Sequence, residues 1–115
     1  MNPIKNQIGT VFIPVSNLAK ARDWYCDILG LKADREISHG LYVIPLTGSD
    51  IVLDSNIYAI ENLFKVPAFH LNTDNIHEAF EFMTSKGVEL LTEIQPTRSF
   101  NFKDPDGNVL MVCQC

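Results

Sequence analysis

Apolar residues recur along this chain with two different periods. Leu18, Ala21, Tyr25, Ile28 and Leu29 follow the spacing that gathers side chains on one face of a helix, and Ile76, Ala79, Phe80 and Met83 do so again further on. The segments 33–38, 40–47 and 50–55, and later 88–95, 98–103 and 108–114, are short and read as strands. Ser38-His39-Gly40, Thr47-Gly48-Ser49-Asp50 and Asp104-Pro105-Asp106-Gly107-Asn108 separate them as turns. In the last of these, proline presets the first turn position and glycine takes a positive φ.

The two helical patterns belong to an internal repeat. Val15-Ser16-Asn17-Leu18-Ala19-Lys20-Ala21 lines up with Thr73-Asp74-Asn75-Ile76-His77-Glu78-Ala79 at an offset of 58 residues, Trp24 falls on Phe82, and after one deletion Gly30 falls on Gly87. Asn17 is the expected N-cap of the first helix, and Asn75 with Glu78 resembles a capping box for the second. Gly30 and Gly87 supply the left-handed residue that ends each helix. Each half reads as strand, helix, strand, strand, strand. The expected fold is therefore α+β: two βαβββ modules in pseudo-two-fold repeat, forming a curved mixed sheet with helices on the outer side and a cleft on the other. Module 1 spans about 7–55, a linker without clear period spans 56–66, and module 2 spans about 67–115, all within one domain over 1–115.

Composition sets the class. A chain of 115 residues, 46% hydrophobic and 20% charged, can bury a core without metal or disulfide staples. Nine basic against fourteen acidic residues give a net charge of −5, which argues against nucleic acid as a partner. No apolar run approaches the roughly 20 residues of a membrane span, and Met1-Asn2-Pro3-Ile4-Lys5-Asn6 lacks a secretory pattern. A cytoplasmic location is the expectation. Cys26, Cys113 and Cys115 form neither a disulfide framework nor a CxxC pair, so reduced thiols are expected. Cys113 and Cys115 nonetheless share one face of an extended strand.

Three signatures in this order carry a family resemblance. They are Val15 to Ala21 with Trp24-Tyr25 and Leu29-Gly30-Leu31; Asp74-Asn75-Ile76 with Ala79 and Lys86-Gly87-Val88; and Ser99-Phe100-Asn101-Phe102-Lys103 followed by Asp104-Pro105-Asp106-Gly107-Asn108. Together they resemble the vicinal oxygen chelate superfamily of glyoxalase I, extradiol dioxygenases, and fosfomycin and bleomycin resistance proteins. The resemblance implies two modules curled around a shared pocket, often in a homodimer. In metal-dependent members it implies a divalent cation held by histidines and carboxylates, acting as a Lewis acid.

At the positions that correspond to those ligands this chain carries Thr10, Ala68 and Met111, and at the fourth either Val52 or Asp54. A neutral hydroxyl, a methyl group and a thioether are not the donors such a cation uses. The expectation is therefore no metal and no cofactor. Strand alternation leaves a displaced site as the alternative, with His70 and Cys113 each two residues past a lost position and joined by Asp54. His39 and His77 read as solvent-facing, and Cys26 as a buried, inert thiol.

The expected ligand-binding residues are Thr10, Phe12, Asp54, His70, Asn72, Arg98, Phe100, Met111 and Cys113, with Tyr42 a further candidate from a neighbouring strand. Such a lining is apolar and aromatic with a few polar anchors, as small-molecule pockets usually are. Arg98 would meet an anionic group on the ligand. Three functions fit: a metal-independent small-molecule-binding protein of the bleomycin-resistance type, which is preferred; a glyoxalase- or dioxygenase-like enzyme with a displaced metal at His70 and Asp54, or with His70 as general base; and a structural protein whose pocket is filled. Whether any reaction is catalysed is left open.

Overall fold

The computed structural model describes residues 2–115 as two compact units, the first reaching to Tyr58 and the second running from Ala59 to Cys115. The division falls inside the segment that has no clear period in the sequence.

In the first unit β1 (Thr10–Pro14) leads into α1 (Leu18–Leu29), followed by β2 (Leu41–Pro45) and β3 (Asp50–Asp54). The strand order is β1-β3-β2, with β1 parallel and β2 antiparallel to the central β3. Ile13, Tyr42, Ile44, Ile51 and Leu53 are buried on the same side as Ala21, Tyr25 and Cys26 of α1. This alternation is what a half-covered sheet requires. Asn17 accepts the Lys20 N–H at 3.0 Å, as its capping role predicts.

In the second unit β4 (His70–Asn72), α2 (Ile76–Ser85), β5 (Glu89–Leu90), β6 (Ser99–Lys103) and β7 (Val109–Cys113) form a four-stranded sheet in the order β4-β7-β6-β5. Asn75 Oδ1 accepts the N–H groups of His77 and Glu78, both at 3.1 Å. The other half of the capping box is built differently: the Asn75 N–H goes to Thr73 Oγ1 at 3.2 Å rather than to the Glu78 carboxylate. Both helices close alike. Leu31 N–H reaches Cys26 O at 2.9 Å and Val88 N–H reaches Met83 O at 3.1 Å, across Gly30 and Gly87 at φ of 68° and 72°.

The whole is α+β with two mixed sheets and two helices, on the plan of two βαβββ modules. Two expected strands are curtailed. Residues 33–38 form no strand, contributing a single bridge from Ser38 to Leu41, and residues 31–39 are exposed. The run Asp34-Arg35-Glu36 explains this, because a paired strand there would have to desolvate adjacent charges. The segment 88–95 is a strand only over Glu89–Leu90; beyond it Leu91 N–H still donates to Asn101 O at 2.9 Å, and Thr92 Oγ1 accepts the Asn101 N–H at 3.0 Å. The connecting segment carries one turn of 3₁₀ helix at Ile60–Asn62 and is fastened to the Asp104–Asn108 turn through Phe64.

Candidate functional site

Each sheet has one face under its helix and one face without a helix, and strand register decides which side chains share the second. In the first sheet Phe12 pairs with Val52 and Val52 with Val43, so these three form one row across the open face. Thr10 and Asp54 lie on the same face, one row to either side. Phe12 is 51% exposed although aromatic, while Val52 in the central strand is buried. Tyr42 is displaced from its expected place: it pairs with Leu53 on the covered face and meets Cys26 there.

Asp54 faces the open side, but its own turn occupies it. Its Oδ1 accepts the Asn56 N–H at 2.8 Å, and Asn56 in turn donates from Nδ2 to His39 O at 2.8 Å. A Cβ at Gly40 would lie 2.7 Å from the Asn56 side chain, so the glycine is needed where the two turns meet. Asp54 is thus an anchor of local structure before it is a ligand.

In the second sheet the register places His70 beside Met111 and Met111 beside Asn101, and in the next row Asn72, Cys113 and Ser99. The expected residues His70, Asn72, Met111 and Cys113 are therefore brought together on one face. Phe100 is not. It is fully buried on the opposite face, pairs with Val112, and packs edge-to-face on Phe80 of α2 with ring centroids 5.2 Å apart. Phe100 belongs to the core because a one-residue change in register moves every side chain to the other side. The polar residues that β6 does present are Ser99 and Asn101, which counting in twos back from Lys103 could have found.

Arg98 precedes β6 at a turn, exposed and at φ 57°, with its carbonyl accepting the Gln114 N–H at 2.9 Å. His39 and His77 are exposed, as expected. The expectation of three reduced thiols is corrected: Cys113 and Cys115 are joined in a disulfide, and Cys26 is the free thiol. Alternation puts their sulfurs on one side, and Cα atoms 5.4 Å apart lie within bridging distance.

These side chains do not fit the family's cation. Thr10 offers a neutral hydroxyl, Ala68 no donor and Met111 a thioether. Among the described residues, the His70 ring and the sulfurs of Cys113 and Cys115 lie within 4.8 Å of one another, but a disulfide lacks the thiolates that a metal requires.

A cavity of about 210 Å³ lies in the first unit where α1 ends, lined by Cys26, Leu31, Arg35, Tyr42 and Ile44. Burial pushes the Cys26 thiol pKa up, opposed by a hydrogen bond with Tyr42. Such a thiol is protonated and a poor nucleophile near neutral pH. A shallower cavity of about 280 Å³ in the second unit is lined by Phe80, Glu93 and Ile94. No helix among the described residues is long and apolar enough to cross a membrane.

Comparison with known proteins places this architecture. Residues 7–112 match the family model described as the Glyoxalase/Bleomycin resistance protein/Dioxygenase superfamily. Among solved structures, the chain is similar to TnmS3, an antibiotic binding protein from Streptomyces sp. CB03234. Identity is 26% and the TM-score 0.78, over 99% of this chain and 98% of that one. A glyoxalase/bleomycin resistance protein from the same Streptomyces strain is 26% identical with a TM-score of 0.71, over 95% and 100% of the two chains. A superfamily member from Sphaerobacter thermophilus DSM 20745 is 24% identical with a TM-score of 0.74, over 96% and 98%. No curated protein matches the sequence significantly.

Proposed function

We propose that this protein, which belongs to the Glyoxalase/Bleomycin resistance protein/Dioxygenase superfamily, is a metal-independent binder of apolar or aromatic small molecules. The observation that carries this reading is the replacement of the family's ligand positions by Thr10 and Met111, on the open faces of their sheets, and by Ala68, two residues before β4. Phe12, half-exposed and in one row with Val52 and Val43 across the open face, is read as ligand contact surface. In the second unit Met111 provides adaptable apolar contact, with His70, Asn72 and Asn101 as hydrogen-bonding anchors. Arg98 is read as the partner of an anionic substituent on the ligand. TnmS3, an antibiotic binding protein at 26% identity, supports small-molecule binding as the function.

The alternative of a displaced metal at His70 and Asp54 is disfavoured by two contacts. The Asp54 carboxylate is engaged by Asn56, and Cys113 is bonded to Cys115. Metal analysis of protein purified without chelator tests the point. No stoichiometric divalent ion is expected. A stoichiometric Zn, Ni, Mn or Fe that disappears in His70→Ala would overturn the reading. The proposal includes a cytoplasmic homodimer, the common arrangement in the family, for which light scattering on the purified protein should give twice the chain mass.

A further inference from the structure

Cys113 and Cys115 flank Gln114 where β7 leaves the sheet, and Gln114 is pinned from two directions. Its backbone N–H donates to Arg98 O at 2.9 Å, and its side-chain Oε1 accepts the Ile76 N–H at 3.0 Å. The two sulfurs are thereby held on the open side of the strand, joined to each other. Their exposure differs: Cys113 is 4% exposed, whereas Cys115 is open to solvent. A ring nitrogen of His70 lies within 4.8 Å of both.

A thiolate can attack a disulfide only at a sulfur it can reach, and it expels the other one. We propose that Cys113–Cys115, with His70 beside it, is a thiol–disulfide exchange site for low-molecular-weight thiols. The inference goes beyond ligand binding and does not depend on it. An incoming R–S⁻ forms a bond to Cys115 Sγ, and the Cys115–Cys113 bond breaks with its electron pair going to Cys113 Sγ. That sulfur takes a proton from the imidazolium form of His70, leaving neutral imidazole, which is reprotonated from water. A second R–S⁻ attacks the R sulfur of the mixed disulfide and releases R–S–S–R, leaving the Cys115 thiolate to pick up a proton from water. Two thiols R–SH are oxidised to one R–S–S–R, the protein disulfide is reduced to two thiols, and the reverse sequence consumes R–S–S–R. The single residue between the cysteines keeps Cys113 close to the mixed disulfide, so reclosure competes with the second attack.

Glutathione is the probe. The intact chain is incubated in buffers of reduced and oxidised glutathione, quenched with acid, alkylated, and mapped by mass spectrometry. Glutathione is expected on Cys115, and Cys113→Ser should accumulate the adduct there. Modification of Cys113 in Cys115→Ser should be at least about tenfold slower because that sulfur is buried. His70→Gln should slow reduction of the wild-type pair by about a hundredfold, the lower end of proton-transfer assistance. Cys26→Ala should change neither rate. The inference is overturned by equal modification of the two sulfurs, by a His70→Gln rate equal to wild type, or by a pair that stays reduced in excess oxidised glutathione. Should either serine variant fail to fold, mapping the adduct on partly reduced wild-type protein distinguishes the two sulfurs in the same way.

Discussion

The side-chain amide of Asn108 accepts the backbone N–H of Phe64 at 3.0 Å, although 44 positions separate the two residues. Asn108 is fully buried, and it also donates from Nδ2 to Asp104 Oδ2 at 2.8 Å, while Val109 N–H reaches Phe64 O at 2.9 Å. One amide thus ties the β6–β7 turn to the connecting segment. Asn108→Ala would take the acceptor away from the Phe64 N–H and remove one donor to Asp104, at about 1–3 kcal/mol for a buried group left unpaired. Denaturant unfolding should show a loss in that range with little change in slope. A loss below about 0.5 kcal/mol would contradict this role.

Helix starts offer a second check. Asn17 and Asn75 each cap a helix through Oδ1, so Asn17→Ala and Asn75→Ala should each cost about 1 kcal/mol. The corresponding drop in Tm is about 4–8 °C for units of this size. Glu78→Gln should change little, because Thr73 performs the reciprocal half of the cap.

What can be read from the sequence is local. The capping asparagines, the left-handed glycines at 30 and 87, and the Asp104–Asn108 turn all act within a few residues, and local chemistry specifies them. The strand expected at 33–38 does not form because pairing is a long-range event, and a run of three charged residues gives no partner a reason to form it. Phe100 departs from its expected face for the same reason: its alternation is legible, but the contact with Phe80 that fixes which face is inward is not. The shared face of Cys113 and Cys115 is legible, whereas the bond between them is not. At the site, His70, Asn72, Met111 and Cys113 do share a face, because register between β4 and β7 follows the repeat.

His39 and Gly40 both have positive φ, at 55° and 76°, in a two-residue turn closed by hydrogen bonds between Ser38 and Leu41. Such a turn favours Asn-Gly. His39→Asn should therefore stabilise the protein by about 0.5 kcal/mol, since asparagine adopts the left-handed region more readily. Thermal unfolding of the single variant checks it, and a lowered Tm would contradict the turn assignment.

Burial raises the Cys26 thiol pKa in the folded chain. A group raised on folding contributes stability in full below its unfolded pKa, here about 8.5, and loses that contribution as pH rises through the folded value. Stability should decline above about pH 8.5 in wild type, and part of the decline should vanish in Cys26→Ala. Urea midpoints measured from pH 7 to 10 for both proteins test the sign. An identical slope in the two would remove Cys26 as a source.

Ligand binding without a metal is the central claim, and thermal shift of chelator-treated protein tests it most directly. A library of apolar and aromatic compounds is screened with excess chelator and again with added divalent ions. A compound at about 100 times its Kd should stabilise the fold by about 2.7 kcal/mol. The account predicts Tm increases that the chelator leaves intact and that Phe12→Ala removes while the unliganded Tm stays within about 2 °C of wild type, Phe12 being half-exposed. Shifts that appear only when a divalent ion is added, or no shift from any compound, would contradict it.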